Sequence, residues 1–340
     1  MTLAPALAPT PAVEPDDDQP RDIDPGLSPA DRLFQHSARA IGLTVLAIFG
    51  SIGIFLGYQA IPTFRHYGWS FFTENEWQPQ LDKLGISAVI LGTVEVALIA
   101  IVVSFPLALL TALFISEYSP ARLKSGLVSL VDLMAAVPSI VYGLWAFFLL
   151  QPRAIYVSRW LNQHLGFLPI FKVDADPNAA AWQQSSYTSS AFIAGLAVSM
   201  MTIPLAAAVM RSVFAQAPLG EREAAFALGA TRWGMIRSVV IPFSQGGIIG
   251  GSMLALGRAL GETIAVLLII SPAFDLKIRM LEVGTITTSS LIAGLFGDAT
   301  SAQLSALLTA GFVLFCMTLA VNTFAAVFVN RSRSGTATEI

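Results

Sequence analysis

The sequence predicts an all-α integral membrane protein of about six transmembrane helices, with both termini in the cytoplasm. The chain of 340 residues is 55% hydrophobic and only 12% charged, with a mean hydropathy of +0.69. Soluble domains carry roughly 25% charged residues, so about half of that share indicates a membrane protein. Six apolar runs are candidate spans, and arginine concentrates in the segments that we assign to the cytoplasmic side.

The N-terminal region, residues 1–36, is rich in Pro, Ala and Asp, with three consecutive acids at 16–18. It lacks the basic and apolar regions of a signal peptide. Its composition predicts a disordered cytoplasmic tail. The first apolar run, 41–60, carries no charge and follows Arg32 and Arg39, which places the N-terminus in the cytoplasm.

Five further runs complete a predicted membrane domain at 37–330, which precedes a short cytoplasmic tail at 331–340. These runs are 86–115, 126–150, 191–210, 243–270 and 304–329. A polar insert at 151–190 separates the third and fourth runs, and we expect it to be an external loop. The uncharged stretch 283–297 is short for a span, so we expect an external or re-entrant segment there.

A polar loop at 211–242 separates the fourth and fifth runs. Residues 223–228 favour a helix that opens with an acid, and Gly229 offers a stop. Thr231 can cap a second short helix that runs toward Pro242. We therefore predict two short helices joined by a glycine hinge on the cytoplasmic face. From composition alone, an ordinary amphipathic loop is an equally good interpretation.

The spacing in this loop resembles the EAA loop of ABC importer permeases. The pattern is carried by Glu223, Ala224, Ala225, Gly229, Val239, Ile241 and Pro242. Val239 and Ile241 stand where that family usually has Ile and Leu, which keeps the aliphatic character. The resemblance implies that the stretch from Glu223 to Gly229 inserts as a coupling helix into a groove on a separate ATPase subunit.

Four charged residues fall within the apolar runs, namely Glu95, Asp132, Arg258 and Glu262. A charge at mid-membrane costs about 2.5–3.5 kcal/mol on insertion scales, so each needs an explanation. Asp132 lies near the cytoplasmic end of its run and is interpreted as an interfacial acid, whereas the sequence offers no partner for Glu95. Arg258 and Glu262 are four residues apart, which predicts that they project from one helix face. A mutual ion pair that only neutralises their charges is an alternative to a transport role.

Residues 257–263 closely match the Arg-Ala-x-Gly-Glu-Thr signature of phosphate-specific ABC importer permeases, and 136–145 resemble a second signature of that family. With Tyr142 and Trp145, the second signature is more similar to the PstC type of subunit than to the PstA type. The resemblance covers about 37–330 and implies a MetI-like ABC importer permease fold.

The same resemblance implies that Arg258 and Glu262 belong to the phosphate path. It also implies the partners of the chain: a PstA-type permease, two copies of a PstB-type ATPase, an extracytoplasmic PstS-type phosphate-binding protein and inorganic phosphate. We accordingly expect a multi-pass protein in the lipid bilayer of a bacterial plasma membrane.

Absent patterns narrow the function further. No Gly-x-x-x-x-Gly-Lys-Ser/Thr sequence occurs, so the chain lacks the phosphate-binding loop of an ATPase. We expect ATP and Mg to bind the partner ATPase, and no cofactor to bind this chain. We expect neither catalytic residues nor a metal site, since the three histidines are scattered and Cys316 is the single cysteine. The net charge of −3 gives no indication of a nucleic-acid partner.

Three alternatives compete with this interpretation. A permease of the same family for sulfate or molybdate is disfavoured by residues 257–263. A secondary transporter driven by an ion gradient would predict inverted repeats with broken helices, and the sequence shows no convincing internal repeat. A structural membrane scaffold would give Arg258 and Glu262 no reason to lie in an apolar run.

Overall fold

The computed structural model describes residues 29–173 and 185–332, which are predominantly helical. The chain divides into two units, Met1–Ser51 and Ile52–Ile340. In the first unit the described residues, 29–51, are all helical. The second unit contains every other element described below.

The first helix, α1, runs from Pro29 to Tyr67. Proline is tolerated in a first helical turn because its missing amide hydrogen is not needed there, and Asp31 in the same turn suits the positive end of the helix dipole. The predicted disordered tail at 1–36 is therefore wrong for residues 29–36, which are helical. Residues 1–28 lie outside the described part of the chain.

A small folded segment follows α1. It comprises α2 (Ser70–Thr73), strand β1 (Trp77–Gln78), a 3-10 turn (Pro79–Leu81) and strand β2 (Lys83–Leu84), which pairs with β1 in an antiparallel hairpin. Phe71 of α2 is fully buried, and its ring contacts those of Phe64 and Phe72. This aromatic cluster fixes the segment to the end of α1.

The remaining helices follow in chain order. They are α3 (Ser87–Leu113), α4 (Ala121–Ala136), α5 (Ser139–Trp145), α6 (Gln151–Leu165), α7 (Ala191–Phe214), α8 (Leu219–Ala227), α9 (Arg232–Met235), α10 (Ile241–Phe243), α11 (Gln245–Leu260), α12 (Ile264–Ile269), α13 (Thr288–Leu295) and α14 (Ser301–Ser332). Turns of π-helix lie at Phe114–Tyr118, Ala146–Leu150 and Ile236–Val240, and 3-10 turns at Pro169–Phe171 and Phe296–Asp298.

The number of membrane-crossing helices agrees with the predicted six. Five helical stretches among the described residues are long and apolar enough to cross a bilayer. A sixth arises if Arg232–Phe243 and Gln245–Leu260, which are bent by 70° at their junction, form one span. The fold class predicted from the sequence is thus confirmed in its helical, multi-span character.

The third apolar run does not form the single helix that was predicted at 126–150. Helix α4 ends at Ala136 and α5 begins at Ser139. Pro138 lacks an amide hydrogen and favours an extended conformation at Val137, which interrupts the helix. The candidate span is instead Ser139–Leu165, in which α5 continues through a π-helical turn into α6.

The insert at 151–190 was predicted to be an external loop, and this is wrong for its first 15 residues, which form α6. One face of α6 is buried through small and polar side chains spaced four apart, namely Ala154, Ser158 and Asn162. The Asn162 side chain donates to the Tyr187 hydroxyl at 2.8 Å and accepts from the Val173 amide at 3.2 Å. Val173 and Tyr187 thus pack onto α6. Residues 174–184, which lie between them in the sequence, are outside the described part.

The stretch at 283–297 is too short to cross a membrane, as predicted. Its helix, α13, has 8 residues, which at 1.5 Å per residue gives about 12 Å of the roughly 30 Å of a hydrocarbon core. Helix α14 then extends to Ser332, so the first two residues of the predicted tail at 331–340 are helical. Residues 333–340 lie outside the described part.

Helices α3 and α7 pack closely at the centre of the second unit, with α11 against both. A Cβ atom added at Gly195 of α7 would lie 2.6 Å from the Cβ of Ile99 of α3. The surrounding buried positions are also small, including Ala97, Ala100, Ala194 and Ala197. Small residues let helix backbones approach closely in lipid, where no hydrophobic effect drives helices together.

We predict that Tyr187→Phe destabilises the second unit by about 1–3 kcal/mol, because it leaves the buried Asn162 amide without its acceptor. The measurement is thermal unfolding of the purified protein in detergent. Tyr156→Phe is the matched control, since Tyr156 on α6 is 57% exposed. Equal unfolding temperatures for the two variants would show that the Asn162–Tyr187 contact does not hold α6 in place.

Candidate functional site

The loop at 211–242 has the helix–glycine–helix form that the sequence predicts. Helix α8 ends at Ala227, and Gly229 adopts a φ of +84°, a left-handed conformation that glycine adopts without steric cost. The Thr231 hydroxyl accepts from the Gly234 amide at 3.1 Å and caps α9. The first helix begins at Leu219, four residues before the predicted start at Glu223.

This loop exposes an apolar surface. Glu223, Ala224 and Gly229 are exposed, whereas Ala225 packs partly against the core. Large apolar side chains on both sides of Gly229 are also exposed, namely Leu219, Phe226, Leu228 and Trp233, with Leu228 at 88%. A concentration of exposed apolar residues with a polar border is typical of a protein-binding surface.

Helix α11 is broken within the 257–263 motif, so the predicted continuous span at 243–270 is wrong. Its last residue is Leu260, Gly261 follows at its C-cap, and α12 starts at Ile264. The Glu262 carboxylate accepts from the Ala265 amide at 3.2 Å, and so caps the start of α12. A carboxylate at this end also suits the helix dipole.

The break separates Arg258 from Glu262, which were predicted to share one helix face. Glu262 is 8% exposed, whereas Arg258 is exposed on the surface of the chain. Across the described residues the two side chains do not form an ion pair. The i,i+4 argument fails because Glu262 lies beyond the end of α11.

The two signature segments meet at this break. Tyr142 of the second signature contributes a hydroxyl group from α5. That hydroxyl donates to the Met134 carbonyl at 2.8 Å, near the end of α4. A Cβ at Gly143 would lie 2.8 Å from the Cα of Ala265, so α5 and α12 pack backbone to backbone. Residues 136–145 and 257–263 therefore form one site.

Hydroxyl groups around the start of α13 complete the site. The Ser289 hydroxyl donates to the backbone carbonyl of Glu262 at 2.6 Å. Thr287 and Ser290 form a capping box on α13, and the Thr288 amide donates to the Thr93 hydroxyl of α3 at 2.9 Å. The sequence analysis did not assign these residues to the site, although the run of hydroxyl residues from 287 to 290 marks a helix start.

The other two charged residues of the apolar runs lie elsewhere. Asp132 is half-exposed and accepts from Arg211 at 3.2 Å, in agreement with an interfacial acid. Glu95 is 5% exposed, and its Oε1 atom has no hydrogen-bond partner in the described part of the chain. It lines a small polar cavity whose charged residues are Asp275, Lys277, Arg279 and Glu282.

These elements define a class of protein. Several membrane-crossing helices, an exposed helix–glycine–helix loop and a charged motif at a broken helix are the parts of a membrane permease that works with separate subunits. The sequence model described as "Binding-protein-dependent transport system inner membrane component" matches residues 104–334. The chain belongs to this family. It is therefore a multi-pass membrane component of a transport system in which a separate subunit hydrolyses ATP.

Relatives cover most of the chain. It is 37% identical over 296 residues to the phosphate transport system permease protein PstC 2 of Mycobacterium tuberculosis, covering 86% of this chain and 89% of the relative. It is 36% identical to the phosphate transport system permease protein PstC of Xylella fastidiosa, over 89% of this chain and 91% of the relative. A similar fold occurs in the crystal structure of a bacterial alginate ABC transporter bound to a periplasmic protein, with a TM-score of 0.55, 18% identity and coverage of 92% and 97%.

We predict that Glu262→Ala accelerates amide hydrogen exchange at residues 264–266 by about 2- to 30-fold, because loss of an N-terminal cap costs roughly 0.5–2 kcal/mol. Glu262→Gln should leave this exchange nearly unchanged, since the amide oxygen can still accept from Ala265. Exchange followed by mass spectrometry separates the two variants. Equal acceleration in both would show that the charge of Glu262, rather than its cap, maintains the break.

Proposed function

We propose that this chain is a PstC-type permease subunit of an ATP-driven importer of inorganic phosphate. Relatives at 36–37% identity that cover most of the chain carry the name of phosphate permease. The observation that supports this substrate most directly is the exposed guanidinium of Arg258, which lies beside a broken helix where the two signature segments meet.

The chemistry of Arg258 suits phosphate. A guanidinium group presents paired N–H donors in one plane, which match two oxygens of a phosphate, and it keeps its charge at every physiological pH. Among the described residues, no carboxylate lies within ion-pair distance of Arg258. Its charge is therefore available to a passing anion.

Glu262 supports Arg258 indirectly in this proposal. Its side chain caps α12, and its carbonyl accepts from Ser289. These two hydrogen bonds stabilise the break between α11 and α12, next to Arg258. Glu262 therefore shapes the phosphate path through the backbone and has no need to touch the anion.

We predict that Arg258→Gln reduces phosphate uptake to the background of empty vesicles while the complex still assembles, because a neutral amide cannot attract the anion. Arg258→Lys should reduce uptake at least about tenfold, since a point charge loses the paired geometry. Uptake of radioactive phosphate into proteoliposomes is the measurement.

Arg122→Gln is the control for this experiment, since Arg122 is an exposed arginine of α4 outside the site. Excess sulfate and molybdate serve as competitors that test the other oxyanions. Normal uptake by Arg258→Gln would remove Arg258 from the path. Competition by sulfate or molybdate at phosphate-like concentrations would assign a different substrate.

The loop at 211–242 is the proposed contact with the ATPase. Its exposed apolar residues on α8 and α9, with Glu223 and Ala224 beside them, present a compact surface that can enter a groove on another protein. We propose a PstB-type ATPase dimer as that protein, with ATP and Mg bound there. A PstA-type permease and a PstS-type binding protein complete the importer, and both termini of this chain face the cytoplasm with the loop.

We predict that Gly229→Val reduces the amount of ATPase subunit that copurifies with the complex by roughly tenfold, because a β-branched residue is strained by more than about 1–2 kcal/mol at φ of +84°. In the described part of the chain, no atom beyond the two neighbouring residues lies within 4 Å of a Cβ at this position, so we expect the effect to come from the backbone. Gly229→Asn is the matched variant, since Asn tolerates this conformation. Full ATPase retention in Gly229→Val would exclude the hinge from docking.

A further inference from the structure

The π-helical turn at the end of α3, Phe114–Tyr118, contacts both helices of the loop at 211–242. The contact to α8 is made by Glu117, and the contact to α9 by Tyr118. These two residues are adjacent in sequence, and their partners lie on either side of the Gly229 hinge. The π-helical turn thus contacts the helix–glycine–helix unit on both sides of the hinge.

The first contact is an ion pair in which one guanidinium nitrogen contacts both carboxylate oxygens. Arg222 of α8 donates from Nη1 to both carboxylate oxygens of Glu117, at 3.0 and 3.1 Å. Its Nη2 donates to the carbonyl of Phe214, the last residue of α7. The Glu117 and Arg222 side chains are only 5% and 17% exposed. Arg222 therefore joins the ends of α3 and α7 to α8.

The second contact is a cation–π interaction. The guanidinium of Arg232 lies 5.6 Å from the centre of the Tyr118 ring, within the range of such interactions. The turn is also fixed to α4, since Lys124 donates to the Ser116 carbonyl at 3.3 Å. The turn therefore contacts α4, α8 and α9 at the same time.

A buried ion pair seldom adds stability over a well-packed apolar pair, because both charges lose their hydration. The pair does specify geometry, since Nη1 of Arg222 is held between the two carboxylate oxygens of Glu117 while Nη2 is held by the Phe214 carbonyl. We propose that Glu117 and Tyr118, through their contacts with Arg222 and Arg232, are positioning residues that couple movement of the loop to α3. The proposal rests on the proposed function, in which the loop receives that movement from the ATPase.

The test uses the complete reconstituted importer in proteoliposomes with phosphate-loaded binding protein. Two quantities are measured: phosphate molecules transported per ATP hydrolysed, and amide hydrogen exchange of α8 in the purified complex without phosphate. The variants are Glu117→Gln, Arg222→Gln and the double exchange of Glu117→Arg with Arg222→Glu. Arg122→Gln is the control, since it removes an exposed arginine of α4 that lies outside these contacts.

We expect each single variant to retain the ATPase subunit and to hydrolyse ATP, but to transport about tenfold less phosphate per ATP, with α8 exchange faster by about tenfold or more. The double exchange should recover a large part of both losses, and the control should match the wild type. A normal transport ratio in the single variants, or normal α8 exchange, would overturn the proposal.

A further variant covers the case in which the single charge changes prevent assembly. Tyr118→Leu removes the contact to Arg232 without leaving a buried charge, and we expect it to lower the transport ratio about two- to threefold. An unchanged ratio would overturn the proposal by itself. A wild-type complex that hydrolyses ATP but carries no phosphate would refute phosphate as the substrate. It would leave the coupling proposal testable, because amide hydrogen exchange of α8 in the variants is measured without phosphate.

Discussion

A break in a membrane helix leaves amide and carbonyl groups that lipid cannot satisfy, and the candidate site is arranged around this constraint. Between α11 and α12 the side chain of Glu262 accepts from the Ala265 amide, and Ser289 donates to the Glu262 carbonyl. The break therefore needs both an acid in the 257–263 motif and the hydroxyl residues at the start of α13. Arg258 lies about one helical turn before the break and is exposed.

The second signature follows the same rule. Pro138 interrupts the helix between α4 and α5, and the Met134 carbonyl accepts both the Tyr142 hydroxyl and the Val137 amide. Because Gly143 admits the backbone of Ala265 at close range, the two breaks pack against each other. Each signature thus supplies hydrogen-bond partners for the backbone groups at a helix break, and the close approach of Gly143 to Ala265 brings α5 and α12 together.

Features that depend on composition and local turn chemistry could be predicted from the sequence. The interruptions of the helices could not. Apolar runs gave the number of spans and the approximate positions of most of them, and Gly229 with Thr231 located the turn of the loop. Hydropathy treats an apolar run as one helix, however, so it passed over the breaks at Pro138 and Gly261. Helix α6 was missed for another reason: the side chains that it buries are Ala, Ser and Asn, and these give no apolar signal.

The loop and the broken helix lie at opposite ends of one element. On α3, Thr93 accepts from Thr288 beside the break, and Glu117 binds Arg222 in the loop. Thr93 and Glu117 are 24 positions apart, which corresponds to about 36 Å at 1.5 Å per residue, so α3 and the π-helical turn that follows it connect the two sites. The proline of α3, Pro106, removes one hydrogen bond from its backbone ladder. Bending of α3 is therefore favoured between the two contacts, where it would turn displacement of the loop into a change of angle at the break.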